Sequence, residues 1–267
     1  MLAVLSPAKK LDALSPAPLD LASQPVFLDQ AQTLVKHART LSARDLCRLM
    51  KISERLGTLN AERFAAFTTP FTLANAKQAA FMFSGDTYVG LDAGGWSRED
   101  LEHAQSRVAI LSGLYGVLRP ADLIQPYRLE MGIRLATERG HTLYEFWADA
   151  IAQRLGEILR DHPAKVVVNL ASQEYFKAVR QDVLEGLGGS VITPVFMEER
   201  ADHPRVQSFF AKRARGMMAR YMVQKRLEQP EALKQFTLGG YHYRPDMSSA
   251  DRWVFTRPAG SAKEARA

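Results

Sequence analysis

Residues 107–120 read RVAILSGLYGVLRP. An apolar run from Val108 to Leu111 ends in Ser112 and Gly113, and a second short run follows Gly116. Such runs, uninterrupted by polar residues and ending in small or polar ones, are the pattern of strands buried on both faces. The same pattern recurs in LAVLSPAK (2–9), AAFMFSGDTYVGL (79–91), KVVVNLASQEYF (165–176) and SVITPVFMEE (190–199). Between them lie helical patterns: LDQAQTLVKHARTL (28–41), SARDLCRLMKISERLGTLNAERFAAF (42–67), SREDLEHAQS (97–106) and TLYEFWADAIAQRLGEILRD (142–161). Strands alternating with helices predict an α/β (mixed α+β) fold, one compact body around a central sheet. That body is expected over residues 1–257. A proline-rich surface loop is expected at 14–25 and a disordered C-terminal tail at 258–267.

In an open, mostly parallel sheet, ligands bind beyond the C-terminal ends of the strands. The ends of these runs carry Ser6 and Lys9, Ser84 to Asp86, Ser112 to Gly116, and Asn169 to Glu174. If the sheet is parallel, they converge on one cleft. Lys9 is then placed to hold a phosphate. Lys9, Asp86 and Glu174 are the candidate catalytic residues, with Glu174 a general acid or base or else a member of a structural ion pair. Gly113 and Gly116 serve either a structural turn or a close backbone approach to phosphate, and Arg119, Arg128 and Arg134 follow them within phosphate reach.

The chain has 267 residues and a formal net charge of +6. SFFAKRARGMMARYMVQKR (208–226) carries six of its cations and no carboxylate. On a helical wheel Phe210, Ala214, Met217, Met218, Tyr221 and Met222 share one face, and Lys212, Arg213, Arg215, Arg220 and Arg226 the other. Lys225 breaks the separation. An ordinary solvated face mixes Glu with Lys, so this helix is expected to present an anion-binding surface.

Several functions have no textual support. The sequence contains no nucleotide-binding glycine loop, hydrolase elbow or paired metal-ligand histidines, so no cofactor and no metal site are expected. The lone Cys47 excludes an internal disulfide and reads as a buried apolar residue. No run is long enough to span a membrane and the N-terminus is not a signal peptide, so a cytoplasmic protein with no membrane partner is expected.

LSPAKKLD, FSGDTYVGL, LSGLYGVLRPADLIQPYRLEMGIRL, NLASQEYFKAV and SFFAKRARGMMARYM occur in this order and at about this spacing in the peroxide stress resistance YaaA family. The chain resembles that family over nearly its whole length. The resemblance implies a hydrogen peroxide response that limits DNA damage linked to intracellular iron. It also implies a basic cleft, a helix–hairpin–helix-like element at Gly113 to Arg119, and binding to double-stranded DNA, here expected of a monomer. The cleft is then assigned to Lys9, Arg119, Arg128, Arg134, Lys177, Lys212, Arg213, Arg215 and Arg220. The alternative is an enzyme acting on a nucleobase, nucleotide or DNA. A narrow pocket holding Lys9, Asp86 and Glu174 favours that alternative, and an open basic groove favours a pure binder.

Overall fold

A computed structural model describes residues 1–259. Of the expected tail, residues 260–267 lie outside them. In chain order the elements are β1 (Leu2–Leu5), α1 (Leu28–Arg39), α2 (Ala43–Met50), α3 (Glu54–Ala66), β2 (Lys77–Gln78), α4 (Ala79–Met82), α5 (Asp86–Leu91) and α6 (Arg98–Arg107). There follow β3 (Val108–Ser112), β4 (Gly116–Leu118), β5 (Leu123–Ile124), α7 (Leu143–Trp147), α8 (Ala150–Leu159), β6 (Val166–Leu170), α9 (Gln173–Phe176) and α10 (Gln181–Gly186). The last are β7 (Ser190–Glu198), α11 (Ser208–Gln224), β8 (His242–Tyr243) and β9 (Arg252–Arg257).

Seven strands form the central sheet in the order β4-β3-β1-β6-β7-β9-β8. The five inner strands are parallel, and the edge strands β4 and β8 run antiparallel. β1 is buried along its whole length because β3 and β6 flank it and helices cover the sheet, which explains its unbroken apolar run. From β1 the chain proceeds to β3 on one side, whereas from β6 it proceeds to β7 on the other. The crevice between the C-terminal ends of β1 and β6 is therefore the topological switch point.

One expected strand is helical. In 79–91 the chain turns instead into α4 and α5, with Gly85 between them and Asp86 in the first turn of α5. A buried apolar run has no polar period to separate strand from helix. The long helical patterns also break. Lys51 adopts φ 52° between α2 and α3, and Ala148 φ 39° between α7 and α8. Ser97 caps α6 with Asp100 in a reciprocal capping box, as SREDLEHAQS implies. Among the described residues no helix is long and apolar enough to cross a membrane.

The segment Gly113 to Arg119 is not a helix–hairpin–helix. β3 and β4 pair antiparallel around it, with Ser112 opposite Gly116, so two strands and not two helices flank the turn. Ser112 Oγ accepts the Leu114 and Tyr115 N–H groups and closes it. Gly113 and Gly116 are buried, so their backbone faces no phosphate. Cys47 is only half-buried, on the side of α2 that packs against Gly57 of α3.

Candidate functional site

The switch point holds a cleft of about 420 Å³. Its floor is the loop after β1 and the end of β6. Ser6 Oγ accepts the Ser172 N–H at 2.8 Å, and the two hydroxyls lie 3.3 Å apart, so the two strand ends are tied directly. Tyr88 of α5 donates to the Ser6 carbonyl at 3.0 Å. Asn169, a candidate polar group, is spent on structure: its Oδ1 accepts from Ala171 and its Nδ2 donates to Thr193.

The loop after β1 supplies Lys9 and Lys10, the start of α5 supplies Asp86 and Thr87, and the segment after β5 supplies Tyr127 to Glu130. Glu174 and Tyr175 come from α9, and Lys212 and Arg215 from α11. The three candidate catalytic residues Lys9, Asp86 and Glu174 thus line one cleft. Glu174 is exposed and accepts the Gly132 N–H at 3.0 Å. The buried carboxylate of the cleft is Glu130, which is 8% exposed. Its Oε1 accepts Arg128 Nε at 3.1 Å and Nη2 at 2.9 Å, and Lys9 Nζ lies 3.4 Å away. Sequence reasoning missed Glu130. Its only textual signal is the Arg128-x-Glu130 spacing in an apolar run, which reads equally well as loop charge.

Tyr127 and Tyr175 wall the cleft. Burial pushes both hydroxyls well above the usual phenol range, so both are neutral near pH 7. Tyr127 also shares a 2.6 Å hydrogen bond with Ser112. Arg215 was expected on the exposed face of its helix. Instead it is half-buried in the cleft lining, and burial lowers its pKa. The reason is that α11 buries two sides: Met218 and Met222 in the core, and Gly216 against α5.

The other assigned cations do not line the cleft. β4 runs antiparallel to its neighbour, so Arg119 leaves the sheet at the opposite end. There it binds buried Asp122 through Nε at 3.1 Å and Nη2 at 2.9 Å. Arg220 pairs with Asp92 at 2.8 Å. Lys177 lies 5.1 Å from the centre of the Tyr144 ring. Arg134 is exposed and Arg213 half-exposed, both away from the cleft lining. Among the described residues no group of three or more His, Cys, Asp or Glu side chains is placed to hold a metal ion.

The family model of the peroxide stress protein YaaA matches residues 1–247. A UPF0246 protein of Magnetococcus marinus is 52% identical over 97% of this chain and 100% of its own length. UPF0246 proteins of Cellvibrio japonicus and Bordetella petrii are 51% and 50% identical, over 96% and 97% of this chain and 98% and 100% of their own lengths. Matched from its first strand to the region before its last, this chain belongs to the peroxide stress protein YaaA family.

Proposed function

We propose that this protein serves the peroxide response by binding double-stranded DNA through the cations of the switch-point cleft, as a monomer in the cytoplasm. The observation that carries this reading is Arg215. The residue is half-buried in the cleft lining, its guanidinium nitrogens are open to the cleft, and among the described residues no carboxylate or carbonyl pairs with it. A partly desolvated cation without a counter-charge gains from a ligand that supplies one, and the planar guanidinium fork matches a phosphate. The lining holds five cations (Lys9, Lys10, Arg128, Lys212, Arg215) against three carboxylates (Asp86, Glu130, Glu174), a formal excess of two positive charges. Phosphate contacts of this kind are largely independent of sequence and displace the cations condensed on DNA. Ferrous iron held on those phosphates leaves with the other cations, which in this reading is how binding limits iron-linked oxidative damage.

The second reading, an enzyme acting on a nucleobase, nucleotide or DNA, is favoured by one feature. Lys9, Asp86 and Glu174 share a cleft of about 420 Å³, a volume in the range of small-molecule sites. Titration of Arg215→Ala and Lys212→Ala with duplex DNA at several salt concentrations tests the first reading. Each variant is expected to flatten the slope of log affinity against log salt by roughly one unit. If neither changes the slope, the cleft is not the DNA site and the enzyme reading moves ahead.

A further inference from the structure

The cleft carries more negative charge than phosphate binding requires, and one carboxylate in it is incomplete. Glu130 Oε1 receives both Arg128 nitrogens and faces Lys9, while Oε2 is buried and has no hydrogen-bond partner. Buried carboxylate oxygens are normally satisfied, and an orphan in a cleft points to a missing donor. Lys9 guards that carboxylate loosely, at 3.4 Å with its side chain 68% exposed. Pairs so exposed contribute little. The flat, neutral rings of Tyr127 and Tyr175 line the same space. Cations, an acceptor short of one donor, and aromatic walls together describe a ligand with an anionic group and a flat ring bearing N–H.

We infer that the cleft takes one amino-bearing nucleotide unit out of the duplex, with phosphate against Arg215 and Lys212 and an exocyclic amino group donating to Glu130 Oε2. This rests on the DNA reading above and adds the part of DNA that is recognised. Taking a base out of the stack is least costly where it is already unpaired.

The test uses the full chain and three duplexes: one with a single unpaired adenine, one with purine in that place (hydrogen replacing the amino group), and one fully paired. The wild-type protein is expected to bind the adenine duplex about tenfold more tightly than the purine duplex, the scale of one hydrogen bond to a charged group. Glu130→Gln is expected to erase that ratio while keeping the salt slope on paired duplex. Equal binding of the adenine and purine duplexes by the wild-type protein overturns the inference, as does a ratio that survives Glu130→Gln. If the variant does not fold, the wild-type comparison alone decides. Competition by dAMP and by the purine deoxynucleoside monophosphate separates the two sources of such a unit. A ratio seen with the free nucleotides and absent with DNA overturns the DNA source. Failure of the underlying DNA reading looks different: Arg215→Ala then leaves the salt slope unchanged on all three duplexes.

Discussion

At Gly113 the backbone of two segments meets with no room for a side chain. A Cβ there would lie 2.2 Å from the carbonyl oxygen of Leu129, a buried residue, and the Gly113 carbonyl accepts the Trp147 indole N–H at 3.0 Å. The glycine is required for close packing and not for contact with phosphate. Gly113→Ala is therefore expected to destabilise the fold by roughly 1–3 kcal/mol, lowering the midpoint of thermal unfolding by several degrees. An unchanged midpoint together with lost DNA binding would restore the phosphate reading. The sequence made this segment conspicuous but left its two roles even, because turn and phosphate loop ask for the same residue. Glu130 was illegible for a related reason. The neighbouring Arg128 reads as ordinary loop charge, and only the fold, which buries Glu130 and brings Lys9 to it from a distant loop, marks it out.

Among the elements, the crossing of α5 and α11 decides what the cleft looks like. A Cβ at Gly90 would lie 2.0 Å from the Arg213 carbonyl oxygen, and one at Gly216 would lie 1.8 Å from the Thr87 carbonyl oxygen. The two helices touch backbone to backbone, and this contact holds Lys212 and Arg215 across from Asp86 and Thr87. Gly216→Ala should force the helices apart, destabilise by roughly 1–3 kcal/mol, and weaken DNA binding under conditions where the variant remains folded. Urea unfolding and DNA titration of the same preparation check both parts. A stability loss with unchanged binding would mean that the crossing does not position the site. The basic helix was only partly readable from its wheel: Ala214, Met218 and Met222 are buried as the spacing requires, whereas Met217 and Tyr221 are half-buried like Arg213 and Arg220, and Arg226 lies beyond the helix. Its partner was not. Only Ala79 to Phe83 is buried without alternation, and such a run does not separate a strand from the helix α4 that forms there.

Across the whole molecule, one end of the sheet holds the cleft and the other the Arg119–Asp122 ion pair, and a test of both in parallel separates them. The apolar runs and their polar ends were enough to place a cleft beyond β1 and β6. The antiparallel edge could not be read from them, because the run Val117–Leu118 gives no strand direction. That one reversal carries Arg119 to the far end of the sheet, where it serves Asp122. The Asp122 carboxyl is 1% exposed, and burial raises its pKa even though Arg119 and Ser23 hold the charged form. Removing the guanidinium leaves a buried carboxylate short of its main counter-charge, which typically costs about 3–5 kcal/mol. Arg119→Ala is therefore expected to lower stability by a few kcal/mol. Its folded fraction should bind DNA with the wild-type salt slope. Arg215→Ala should do the reverse: it removes an unpaired, partly desolvated cation, so stability should hold or rise slightly while the slope falls by roughly one unit. Urea midpoints and salt titrations on the two variants give four numbers whose pattern is fixed in advance. If Arg119→Ala flattens the salt slope while Arg215→Ala does not, DNA lies at the opposite end of the sheet, and the switch-point cleft is left to a small ligand.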